Sequence, residues 1–197
     1  MYNITLNNPS QSENKAQFQR VVRENIHRDG IDDLMNYLEE SDFYEAPAST
    51  RFHGNFAGGL CLHSLSVARN LAQIADVFAP GKYSNESLAI VALFHDLCKI
   101  GVYKTEMRNV KNARGEWERV PFYKFDEDFS FGGHGSKSVY LAMKYIKLTD
   151  EEAVAINSHM GFAGEQNIAP IGDAYNKSNL AWMLHVADEA ATYIDKI

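Results

Sequence analysis

Six side chains of this 197-residue chain are of the types that hold divalent metals: His63, the adjacent pair His95 and Asp96, His134, His159 and Asp188. Imidazole nitrogens and carboxylate oxygens suit Zn, Mn, Fe and Co, and the set does not choose among them. Adjacent helical residues point about 100° apart, so His95 and Asp96 do not address one ion from one direction. A carboxylate has two oxygens, however, and Asp96 is therefore read as a bridge. That division places His63, His95, Asp96 and Asp188 around one ion, and Asp96, His134 and His159 around a second. Open positions at both ions would leave room for water and substrate. A hydroxide shared by the two ions would be the nucleophile, and the ions would neutralise charge on an attacked phosphoryl group.

Lys99 lies three residues after Asp96 and four after His95, on the same face of an expected helix. It is assigned with Asp96 to catalysis, holding a phosphate oxygen or the leaving group, against the plainer reading of a lysine serving the helix dipole. His53, in a glycine-rich loop, and Lys104 and Arg108, in a basic segment, are assigned with Lys99 to substrate binding. His185 stands one helical turn before Asp188 and is read as supporting a ligand or filling the core. His27 is read as a hydrogen-bonded core residue. Cys61 and Cys98 form no CxxC pair and are read as small buried apolar side chains.

Hydrophobic periodicity supplies the elements that must position these groups. Helices are expected over about Ala16–Ile26 and Ile31–Glu40, after a loose polar segment covering residues 1–15. A loop from Ala46 to Gly59 leads to a helix over Leu60–Phe78 with His63 in its first turn. The next, over Ser84–Ile100, is apolar almost all round, so it belongs in the middle of a bundle and carries His95 and Asp96 buried near its end. Residues 103–125 change character: two β-favouring runs flank Asn112-Ala113-Arg114-Gly115, the pattern of a β-hairpin beside the site. Further helices are expected over Ser136–Ile146, from a Thr149/Glu152 capping box to His159, and over Leu180–Ile194.

The formal net charge of −7 argues against general coating of nucleic acid, whose affinity comes from Lys and Arg displacing counterions. The charge is uneven. Residues 99–124 hold seven basic and three acidic side chains, a local +4 that would steer a small anionic substrate to the metals. No stretch approaches the roughly 18 apolar residues of a membrane span, and the first residues lack the layout of a signal peptide. A cytoplasmic protein with a single domain over 1–197 and no membrane partner is expected, of an oligomeric state the sequence does not reveal.

The segments GGLCLHSLSVA, VALFHDLCKIG and LHVADEAATYID resemble the HD superfamily of metal-dependent phosphohydrolases, marked by a histidine, a His-Asp pair and a distal aspartate. The likeness runs from about His53 to Asp195. His134 in FGGHGSKS and His159 in INSHMG match the two extra histidines of the binuclear subset, and FHGNFAGGLCLHSLSV is most similar to the catalytic domain of HD-type 3′-to-5′ exoribonucleases. The resemblance implies an all-α HD-domain bundle with one small β-hairpin insertion, two divalent ions, and phosphohydrolase chemistry as a phosphodiesterase or nucleotidase. Two departures narrow it: the chain has no room for the OB-type module of those exonucleases, and Leu62 replaces an acidic residue. A nucleotide, a cyclic dinucleotide or a short oligonucleotide is the expected substrate, without a stable nucleic-acid complex. The same ligands also occur in mixed-valent di-iron oxygenases of this fold and, in part, in non-catalytic HD modules.

Overall fold

Helix α1 (Gln11–Asn25) begins where Ser10 and Glu13 close a capping box, each side chain accepting from the other's backbone N–H. The computed structural model describes residues 2–6, 10–51, 54–126, 132–163 and 168–197. The polar segment expected to be loose to about residue 15 is thus helical from Gln11. Tyr2 is buried as well, and its hydroxyl donates to the Asn85 carbonyl at 2.7 Å. Helix α2 (Ile31–Glu40) has the expected bounds, burying Leu34 and Leu38. Between α1 and α2, His27 is exposed rather than in the core: the turn leaves its ring outside while its backbone N–H donates to Glu86.

Helix α3 (Gly59–Phe78) runs through the centre, and α4 (Asn85–Phe94) beside it buries every residue from Leu88 to Phe94. The expected continuation of α4 to Ile100 does not occur. The helix stops at Phe94, His95 caps it, Asp96 leaves the helical region at φ −110°, ψ 22°, and a 3₁₀ turn covers Leu97–Lys99. Strands β1 (Tyr103–Lys111) and β2 (Trp117–Phe125) form the hairpin, paired from Tyr103↔Phe125 to Lys111↔Trp117. Its connection spans residues 112–116, with Asn112 Oδ1 accepting from the backbone N–H groups of Arg114 and Glu116.

Helix α5 (His134–Met143) starts two residues earlier than expected, which makes His134 its first residue. Helix α6 (Asp150–Ser158) opens on the expected Thr149/Glu152 capping box. A further helix, α7 (Ala169–Lys177), was not expected; Pro170 in its first turn and the buried Ile171 and Ala174 define it. Helix α8 (Asn179–Tyr193) is capped by Ser178 and carries Asp188.

The bundle packs α3 against α8 and α4, and α6 against α8 and α5, with α1 across α3 and α4. Phe18, Phe43, Tyr44 and Phe94 meet edge to face under α1, with centroids 5.0 to 6.2 Å apart. The fold is all-α with one hairpin, and among the described residues no helix is long and apolar enough to cross a membrane. Phe18 is fully buried at the centre of the aromatic group. Phe18→Ala is expected to cost about 3–5 kcal/mol, seen as a lower denaturant midpoint at unchanged slope in equilibrium unfolding.

Candidate metal centre

Two of the site histidines are held by the same local device. His95 ends α4 and His159 ends α6, both with φ −61° and ψ −31°, and each sends Nδ1 to the carbonyl three residues back: Ala92 at 2.8 Å and Ile156 at 2.7 Å. A helix C-terminus leaves carbonyls without intrahelical donors, and here the imidazole supplies one. The consequence is chemical. With its proton on Nδ1, each ring directs the Nε2 lone pair away from the helix, the tautomer a metal ligand needs.

His95 and His159 are fully buried, and neither Nε2 has a hydrogen-bond partner. Carboxylates stand nearby instead. Asp96 Oδ2 lies 3.3 Å from His95 Nε2 and 3.6 Å from His63 Nε2, while Oδ1 of the same group lies 3.6 Å from His159 Nε2. Asp188 Oδ1, arriving from α8, lies 2.9 Å from His63 Nε2 and 3.9 Å from His95 Nε2. The ligand atoms of His63, His95 and Asp188 form one close group and those of His95, Asp96 and His159 another, each within 4.8 Å. Buried nitrogen lone pairs facing carboxylates, with no proton donor between them, are the donor set of a divalent cation.

Asp96 is 2% exposed, and burial alone would raise its pKa; the Lys99 ammonium and His95 hold it well below the usual carboxylate range instead. Lys99 is also buried. Its Nζ lies 2.6 Å from Asp96 Oδ2, and although burial pulls an ammonium's pKa down, Asp96 keeps it above the ordinary lysine value. The 3₁₀ turn, not a continuous helix, brings the two together. Asp188 is opposed by burial in the same way and held low by His63.

His134 joins a third close group with Asp96 and Cys98, its ring exposed at the start of α5. The glycine after it serves packing rather than ion approach: a Cβ on Gly135 would fall 2.3 Å from the Asn157 carbonyl oxygen, so its absence lets α5 close onto α6. Cys98, read from sequence as a plain core residue, places its sulfur 3.9 Å from Asp96 Oδ1. Burial and Asp96 push its pKa up to about 12. His53 lies outside the described residues. Lys104 and Arg108 do not line the site: Lys104 pairs with Asp126 at 2.6 Å, and Arg108 stacks over Phe122 on the hairpin. Strand alternation turns both away from the cleft.

The cleft, of about 510 Å³, opens over Asp96, Lys99, His134 and Asp188. Its walls are Tyr103 and Phe125 from the base of the hairpin, Met160 and Tyr193, with Ser49 and Thr50 at one edge. Sequence reading missed the ring-bearing wall, which becomes visible only once the strand register is known.

A supporting layer holds His159. His185 Nδ1 is 2.8 Å from the His159 carbonyl oxygen, Tyr175 donates its hydroxyl to the Ser158 carbonyl at 3.1 Å, and the two rings stack at 5.6 Å. His185 therefore supports a site residue, one of the two roles expected of it. Gly161 lies flat against it: an added Cβ would fall 2.5 Å from His185 Cε1.

Fold and site together define a helical bundle with a buried His/Asp cluster that could hold a divalent metal, its polar centre closed by α3, α4, α6 and α8. The chain belongs to the HD domain family, which it matches over residues 62–192, a family of metal-dependent phosphohydrolases. No curated protein matches the chain, and no solved structure does. Because Gly161 seats His185, Gly161→Ala is expected to weaken divalent-metal affinity by about 10- to 100-fold at unchanged helix content, checked by metal competition titration alongside far-UV circular dichroism.

Proposed function

We propose that the protein hydrolyses a phosphoester or phosphodiester bond in a nucleotide, cyclic dinucleotide or short oligonucleotide, using two divalent ions held by His63, His95, Asp96, His134, His159 and Asp188. One observation carries the reading: Asp96 turns one oxygen to His63 and His95 and the other to His159, whose own Nε2 is buried without a hydrogen bond. A single carboxylate facing two sets of imidazoles is what a shared ligand requires. Divalent ions in such a site supply Lewis-acid stabilisation of phosphoryl charge and acidify a bound water.

The protein's own groups do the rest. Lys99 holds Asp96 ionised and also lines the cleft, so its positive charge meets an entering phosphate. The cleft volume fits a nucleotide-sized ligand. Tyr103, Phe125 and Tyr193 offer ring faces to a base, and Met160 and Ala163 exclude water from the same walls.

Two measurements test this together: elemental analysis of the purified protein, and a hydrolysis screen over nucleotides, cyclic dinucleotides and short RNA. About two metal ions per chain with phosphate-ester turnover is the expected result. Substrate-linked oxygen uptake without hydrolysis would overturn it in favour of a di-iron oxygenase. Asp96→Ala is expected to lose metal and turnover together. Lys99→Ala should keep its metal while turnover falls by about 10²-fold, a contrast read by metal content and steady-state kinetics on the same preparations.

A further inference from the structure

The β-hairpin stands out from the bundle with both of its faces in solvent, and the two faces differ. Residues opposite one another in an antiparallel pair share a face, and faces alternate along each strand. The register therefore puts Tyr103 and Phe125, which line the cleft, on one face with Tyr123 and Met107 further out and Arg119, Lys111 and Trp117 at the far end. The ring contacts of Tyr103 with Phe125 at 6.1 Å and with Tyr123 at 6.5 Å agree with that assignment. None of the ten positions on this face is acidic. Trp117 is 70% exposed, Lys111 lies over its ring at 5.3 Å, and Arg119 has no ion-pair partner among the described residues.

The other face carries the acids, Glu106 and Glu118, and its cations are engaged. Lys124 pairs with Glu106 at 3.0 Å, Lys104 pairs with Asp126, and Arg108 covers Phe122. In a chain of net charge −7, a face with rings, cations and no carboxylate, continuous with the cleft, is a local exception.

We infer that this face is a track for a single-stranded oligonucleotide whose reacting end lies in the cleft, an inference that rests on the hydrolytic reading for that end alone. The chemistry matches term by term. Rings give sequence-tolerant stacking platforms for bases, and cations beside them meet the phosphates. An acidic peptide would meet the cations but leave the rings without flat partners, and a second copy of this chain would bring further net negative charge. Eight steps at about 3.4 Å make the track about 27 Å long, about eight nucleotides at the roughly 3.4 Å stacked spacing. Lys111, Arg119 and Arg114 at the tip supply at most three phosphate contacts, so the salt dependence is shallow, with a logarithmic slope of about −2. The track captures a strand briefly; it does not coat one.

The test is fluorescence anisotropy of the metal-loaded protein with phosphorothioate-linked oligouridylate and oligothymidylate of 2, 4, 8 and 12 nucleotides. Affinity is expected to rise up to about eight nucleotides and then level, in one or both strand chemistries. Trp117→Ala combined with Arg119→Ala should weaken the eight-nucleotide complex by about tenfold or more and leave the two-nucleotide complex within twofold. Lys124→Ala, on the opposite face, should change neither. Affinity that does not vary with length, or an equal loss in Lys124→Ala, would overturn the track. So would a chain dimer broken by the Trp117 and Arg119 substitutions without length-dependent binding, which would assign the face to a second copy. Hydrolysis of bis(p-nitrophenyl) phosphate should be the same in all variants; if the parent protein fails to hydrolyse any phosphate ester, the hydrolytic reading falls while the length series still decides the track.

Discussion

A buried carboxylate among apolar helices is the constraint around which this molecule is built. Asp96 sits in a cavity of the bundle where an isolated charge would cost several kcal/mol, and every neighbouring element answers it. Lys99 approaches from the 3₁₀ turn that follows it, His63 from α3, His95 from the end of α4, and His159 from the end of α6. One ammonium balances one carboxylate. Asp188 then adds a second negative charge beside the same imidazoles, and the local cluster of two carboxylates and one lysine keeps a deficit of positive charge that a divalent cation is suited to fill.

The paired histidines show how the fold meets that constraint cheaply. An α-helix that stops inside a protein must find donors for its last carbonyls. In α4 and α6 the terminal imidazole is that donor, so ending the helix and orienting the ligand are a single event. It also explains why α4 is so short. Apolar residues resume at Leu97 and Cys98, but a longer helix would have kept the Ala92 carbonyl in the backbone ladder and released the His95 ring. His185 and Tyr175 repeat the principle one layer out by taking the carbonyls of His159 and Ser158.

Much of this was legible in the sequence, and the parts that were not have physical reasons. Periodicity located α2 and α3, and the Thr149/Glu152 pair marked the start of α6, because amphipathic spacing and capping are local properties. The break at His95 was hidden because no Gly or Pro separates the apolar run Leu88–Phe94 from Leu97 and Cys98; the helix ends on a side-chain hydrogen bond instead. Helix α7 was missed because Gly172 and a polar exposed face dilute its pattern, leaving Ile171 and Ala174 as its buried anchors. The six proposed ligands were legible as types and order, and five of them meet in one buried cluster with His134 at its edge. Net charge along a segment says nothing about which face of a strand a side chain occupies, and the register turns Lys104 and Arg108 away from the cleft.

That last distinction reaches into function. The same hairpin segment carries its acids and bases in sequence as a mixed run, and as a run its meaning is ambiguous. Folded, the register sorts Glu106 and Glu118 onto one face with Lys104, Arg108 and Lys124, where opposite charges largely cancel or are covered. The other face keeps Lys111 and Arg119 with aromatic neighbours and no acid. Both faces of the ribbon lie within about a Debye length of each other, so what the register segregates is the carboxylates: Lys111 and Arg119 stand beside rings on a face that carries no acid. A phosphate approaching an acidic protein would then meet its attractive surface first at the outer end of the hairpin, at Lys111 and Arg119, and Tyr103 and Phe125 hand over from hairpin to the cleft that Lys99 lines. Steering and chemistry are joined by the first register pair of a two-stranded ribbon.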